Sequence, residues 1–137
     1  MPDTRNILRS VRVLVIEDET DTRDLLGFVL KSHGATPVLA SNVSDALELL
    51  ETERPDVVVA DIGMPGYNGY AFIAALRKLQ SQTRRTPVIA LTAFSTPTDR
   101  DTALISGFDE YLAKPFEPGI LVQVIRRLYD DRHLDAA

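Results

Sequence analysis

The sequence predicts an α/β protein: one doubly wound sheet of five parallel strands in the order 2-1-3-4-5, flanked by five helices. Two observations carry that expectation. Five short apolar runs alternate with five segments of helical spacing. The runs are continuously apolar rather than alternating, as in strands buried on both faces. Strands that each give way to a helix form βαβ units, and right-handed crossovers place helices on both sides of the sheet. The order 2-1-3-4-5 is one common solution, with its functional crevice at the carboxyl ends of strands one and three.

The strands are read at "VRVLVI" (Val11–Ile16), "ATPVLA" (Ala35–Ala40), "DVVVA" (Asp56–Ala60), "PVIALT" (Pro87–Thr92) and "EYLA" (Glu110–Ala113). The helices are read from apolar stripes. Leu25, Leu26, Val29 and Leu30 mark the first, Val43, Ala46, Leu47 and Leu50 the second, and Phe72, Ile73, Leu76 and Leu79 the third. A fourth runs from about Pro97 to Ser106, and Leu121, Val122, Ile125 and Leu128 mark the fifth. Ser41 or Ser44 can cap the second helix, and Thr96 with Pro97 and Asp99 resembles a capping box for the fourth. Gly34 and Gly107 follow helix ends, where a left-handed residue is needed. Gly27 interrupts the first helix pattern, which points to close packing. A single domain is expected over residues 11–130, with tails at 1–10 and 131–137.

The totals fit such a domain. The chain has 137 residues, 45% hydrophobic and 26% charged, enough for a core and for solubility. A net charge of −5, from 15 basic and 20 acidic residues, argues against direct nucleic-acid binding. No apolar run is long enough to span a membrane, and "MPDTRNILRS" lacks the apolar centre of a signal peptide. Without cysteine there is neither a disulfide framework nor a thiolate metal site, which fits a cytoplasmic protein. The two histidines match no ligand spacing.

Chemistry collects where the strands end. Glu17, Asp18 and Glu19 follow strand one, Asp61 follows strand three, Thr92 ends strand four, and Lys114-Pro115 follows strand five. A parallel sheet brings all of them to one edge. Clustered carboxylates either take up a proton or are joined by a cation. An all-oxygen donor set selects a hard divalent ion, and Mg²⁺ keeps waters for a phosphate-bearing substrate. A lysine and a hydroxyl opposite it suit phosphoryl oxygens, and a carboxylate held in line can become an aspartyl phosphate. Each residue also has a plainer reading. Glu17 and Asp18 can favour a helix dipole, Asp61 can pair with Lys114, and Thr92 and Tyr111 can be ordinary strand and core residues. His33 suits a helix end and His133 a tail. The plainer readings weaken jointly, because four strands deliver complementary groups to one edge.

With these residues in place the sequence resembles a two-component response-regulator receiver domain, the CheY-like variety of the flavodoxin-type fold. The motifs are "VLVIEDE", "VVVADIGMPGYNGY", "VIALTAF" and "YLAKPF", in order, over about Val11 to Leu128. The resemblance implies that Asp61 is the phosphoacceptor. It implies that Mg²⁺ is held by Asp18, by Glu17 mostly through water, by Asp61, and by the backbone carbonyl of Gly63. Lys114 would contact the phosphoryl group, with a cis bond to Pro115. Thr92 would be the switch hydroxyl, Tyr111 the rotating aromatic, and Gly69 a turn before the third helix. The donor would be a phosphohistidine on a histidine kinase or histidine phosphotransfer protein. The output would pass to a downstream protein through the fourth helix, fifth strand and fifth helix. The implied role is a signalling switch, not an enzyme acting on other substrates. Gly63 and Phe94 flank the path of attacking water, and neither side chain orients it, so slow self-dephosphorylation is expected.

Three other readings stand beside this one. A haloacid-dehalogenase phosphatase shares the chemistry but requires D-x-D after strand one, where this chain has Glu17-Asp18. A flavodoxin-type cofactor site would set those acids against the flavin phosphate. A receiver fold used as a phosphorylation-independent docking module would keep the same fold without using the acceptor. No output domain is read after the fifth helix, so the expectation is a stand-alone receiver or one belonging to a hybrid histidine kinase, which "GFDEYLAKPF" most resembles.

Overall fold

The computed structural model describes residues 6–62, 69–92, 97–114 and 116–136. In chain order the elements are β1 (Arg12–Ile16), α1 (Thr20–Ser32), β2 (Thr36–Ala40), α2 (Val43–Glu53), β3 (Val57–Asp61), α3 (Gly69–Arg77), a 3-10 turn (Gln82–Arg85), β4 (Val88–Thr92), α4 (Pro97–Ser106), β5 (Glu110–Ala113) and α5 (Pro118–Ala136). All strand pairs are parallel and the sheet order is β2-β1-β3-β4-β5. This is the expected doubly wound sheet.

The two-residue period of the strands divides the core in two. Val13, Val15, Val57, Val59, Ile89 and Leu91 face Leu26 and Leu30 of α1 and Leu121 and Ile125 of α5. Their neighbours Leu14, Ile16, Val58, Ala60, Val88 and Ala90 face α2, α3 and α4 through Ala46, Leu50, Phe72, Ile73, Leu76 and Ala103. Double-sided burial holds for the central strands β3 and β4, whose residues are all buried. It fails at β2 and β5, the sheet's two edges, where most residues are only partly covered. Pro37 is tolerated in β2 because an edge strand needs hydrogen bonds on one side only.

Local details refine the reading. The N-cap of α2 is Asn42, not either serine: its Oδ1 accepts from the Asp45 backbone N–H at 2.8 Å. Gly34 and Gly107 have φ of 94° and 117°, as their places after helix ends require. A Cβ at Gly27 would lie 3.4 Å from Leu39 of β2, an ordinary van der Waals contact. α3 begins at Gly69 and α4 at Pro97, while Thr96 lies outside the described residues.

Described structure continues on both sides of residues 11–130. Residues 6–10 fold against the amino-terminal end of the sheet, with Leu8 fully buried among Val11, Leu30 and Ile125. The Leu8 N–H donates to the His33 carbonyl at 2.8 Å, and Arg126 donates to the Ile7 carbonyl. At the other end α5 continues to Ala136 and includes His133.

Candidate functional site

Strand register assembles the site. Ile16 pairs with Ala60, so Glu17 leaves β1 beside Asp61 at the end of β3. Asp61 pairs with Leu91, which puts Thr92 one step further along β4. Thr92 pairs with Ala113, and the Lys114 N–H donates to the Thr92 carbonyl at 2.8 Å. Four strands therefore bring Glu17, Asp61, Thr92 and Lys114 to one edge. Glu17, Asp61 and Thr92 are buried, at 2%, 5% and 1% exposure. Asp18 is exposed beside them.

The Lys114 ammonium forms an ion pair with Asp61 Oδ2 and lies 3.8 Å from Glu17 Oε1. One cation thus serves two buried acids. The deficit shows in Glu17, whose pKa rises from 4.5 to about 7. Burial is the largest cause and the Asp61 charge the next; Lys114 opposes them, and a hydrogen bond to Asp61 and the Asp18 charge add to the rise. Glu17 Oε2 is buried without a hydrogen-bond partner among the described residues. Buried oxygens in that condition call for a proton or a cation.

That donor set fits a hard divalent ion. No group of three or more His, Cys, Asp or Glu among the described residues is arranged to hold a metal. Mg²⁺ does not need one, since it binds through one or two carboxylates and retains several waters. Gly63, the expected backbone ligand, Phe94 and Pro115 lie outside the described residues.

Tyr111 is carried by β5, and its hydroxyl is buried without a partner among the described residues. With Thr92, Ile62, Tyr70 and Asp99 it lines a cavity of about 150 Å³. Burial and the Asp99 charge raise the pKa of both Tyr70 and Tyr111, so both phenols stay protonated donors. Tyr70 and Asp99 are additions to the expected set, as is Arg23. The Arg23 guanidinium donates to the Glu17 carbonyl at 3.0 Å and reaches that of Asp18 at 3.5 Å, tying α1 to the acidic loop.

The family model for the response regulator receiver domain matches residues 13–126. The chain belongs to this family. Receiver domains are signalling switches of two-component systems. An uncharacterised 14.6 kDa protein of Leptolyngbya boryana is 42% identical over 120 residues, covering 88% of this chain and 91% of that protein. The phosphate regulon transcriptional regulatory protein PhoB of Escherichia coli is 40% identical over 115 residues. That match covers 84% of this chain and 50% of PhoB, so the chain spans about half the length of that relative. Among solved structures, the Francisella response regulator 1452 receiver domain superposes with a TM-score of 0.82 at 32% identity, over 90% of this chain and 99% of that one. The chemotaxis response regulator CheY4 of Vibrio cholerae gives 0.78 at 30% identity, over 86% and 98%. No helix among the described residues of this receiver domain is long and apolar enough to cross a membrane.

Proposed function

We propose that this receiver domain takes a phosphoryl group onto Asp61 from a phosphohistidine on a histidine kinase or histidine phosphotransfer protein. The observation that carries the reading is the buried pair Glu17 and Asp61 facing one ammonium, Lys114, at the carboxyl edge of the sheet. A carboxylate there is desolvated, fixed, and next to the cation that an incoming phosphoryl group needs.

In the transfer, an Asp61 carboxylate oxygen attacks phosphorus. The phosphorus–nitrogen bond of the donor breaks, and its electron pair stays on the imidazole. Lys114 moves its hydrogen bonds from Asp61 to the phosphoryl oxygens, so the ammonium is not left unpaired. Glu17, Asp18, Asp61 and the Gly63 carbonyl would hold Mg²⁺. When bound, it neutralises charge on the acids and on the transferring group.

The signal leaves through Thr92. Its hydroxyl donates to the new oxygens, and the cavity it shares with Tyr111 gives both side chains room to change place. Leu104 and Ile105 expose apolar surface on α4, in support of a downstream protein docking on the α4-β5-α5 face. The donor has a separate surface. An apolar groove of about 540 Å³ opens between α1 and α5 beside Lys114, lined by Leu25, Val29, Phe116 and Leu121. Gly63 and Phe94 offer no group to orient attacking water, which makes the phosphorylated state long-lived. The cytoplasm, where phosphohistidine donors act, is the matching compartment.

Intact mass after incubation with acetyl phosphate and Mg²⁺ tests the reading, with wild type set against Asp61→Asn. One added phosphoryl group in the wild type alone is expected. A folded wild type that gains none, from acetyl phosphate or a phosphohistidine protein, would turn the reading to a phosphorylation-independent docking module.

A further inference from the structure

A cleft of about 240 Å³ opens at the opposite, amino-terminal edge of the sheet, between the turn before β3, the 3-10 turn and the last turns of α5. Arg54, Gln82, Thr83, Thr86, Arg132 and His133 line it. The chain as a whole is acidic, but this cleft is not. Its one carboxylate, Asp56, is already engaged, with Oδ2 accepting from the Arg12 backbone N–H at 2.8 Å.

Both guanidinium groups have donors to spare. Arg132 reaches the Asp56 carbonyl at 3.4 Å and Thr86 Oγ1 at 3.5 Å, the outer limit of a hydrogen bond. The Arg54 side chain has no hydrogen bond or ion pair among the described residues. Its backbone sits at φ 46°, ψ 63°, the left-handed C-cap of α2. Glycine or asparagine is usual there. The His133 ring is oriented by its Nδ1 contact with the Tyr129 carbonyl at 2.8 Å and by stacking on Tyr129, with centroids 3.9 Å apart. With Nδ1–H donating to that carbonyl, Nε2 donates to an anion only when the ring is an imidazolium.

We infer that this cleft binds a small phosphate-type oxyanion. Two planar guanidinium groups match phosphate oxygens in paired fashion, and Gln82 adds an amide donor. The volume suits one or two phosphate groups with a few waters, each water occupying about 30 Å³. The cleft and Asp61 lie at opposite ends of β3, roughly 15 Å apart at ~3.3 Å per residue. Binding is therefore independent of the phosphoacceptor chemistry.

The test is an amide NMR titration of the whole chain with inorganic pyrophosphate, in chelator and at constant ionic strength. Saturable shifts at residues 54, 82–86, 132 and 133 are expected, and Arg132→Gln should weaken binding about tenfold. Arg54→Gln tests the same point at an exposed side chain that has no hydrogen bond or ion pair among the described residues. The inference fails if shifts do not saturate by about 10 mM, well past a millimolar site. It also fails if they gather at Glu17, Thr92 and Lys114 instead, or if sodium chloride reproduces them.

Discussion

The Glu17 carboxylate lies beside that of Asp61, both out of water, and Lys114 is the ammonium between them. Two acids sharing one cation make the metal-free protein sensitive to pH. Glu17 has its pKa raised from 4.5 to about 7 in the fold. Its contribution to stability is therefore full below its unfolded pKa and is lost as pH rises through about 7. In chelator, the melting temperature of Glu17→Gln should overtake that of wild type as pH goes from about 5 to 8. Added Mg²⁺ should narrow the difference by supplying the missing charge. A constant gap across that range would mean that the fold does not raise the Glu17 pKa.

Lys114 carries the complementary prediction. Replacing it by methionine leaves Asp61 and Glu17 facing each other with no cation. Its side chain is 29% exposed, so part of the loss is made up by water. A destabilisation of about 1–3 kcal/mol at neutral pH is expected in urea unfolding without metal. Phosphorylation of Asp61 should fall further, about 10²-fold, because the ammonium acts most strongly on the transferring group. Equal losses in stability and transfer rate would reduce Lys114 to a structural partner.

Much of this site was readable because chemistry that follows a strand lands at a known edge. Glu17, Asp61, Thr92 and Lys114 each needed only a strand end and a parallel sheet. Arg23, Tyr70 and Asp99 were not readable in the same way. Each sits on a helix, where a polar side chain on an amphipathic pattern reads as solvated, and only packing turns it toward the site. The α2 cap shows the same limit on a smaller scale. Ser41, Asn42 and Ser44 are all capable caps, and the entry angle of the chain selects Asn42. The buried stretch at Leu8 is too short to show any period.

Arg77 holds the lower edge of the sheet together. Its guanidinium donates to the carbonyls of Arg84, Thr86 and Gly107 and pairs with Asp109 at 2.7 Å. Asp109 Oδ2 in turn accepts from the Val88 N–H at 2.8 Å, where β4 begins. Arg77→Ala would strand three carbonyls and a carboxylate, at about 2–3 kcal/mol. Arg77→Lys should recover little of this, because one ammonium cannot span the acceptors of a planar fork. Full recovery with lysine in urea unfolding would show that charge alone suffices there.

Leu8 is part of the core. Its side chain is fully buried in the core cluster that holds Val11, Leu30 and Ile125, and its backbone N–H bonds to the end of α1 at His33. Leu8→Ala removes buried methyl groups from a site closed by α1, β1 and α5, with an expected cost of about 2–5 kcal/mol. Starting the chain at Val11 should cost at least as much, since it also frees the His33 carbonyl and opens the floor beneath Gly34. Asp61, the proposed phosphoacceptor, lies at the other end of the strands, so phosphorylation of the surviving folded fraction should proceed at the wild-type rate. Chemical unfolding paired with the mass assay separates the two effects. A truncated chain as stable as wild type would make residues 6–10 a tail after all.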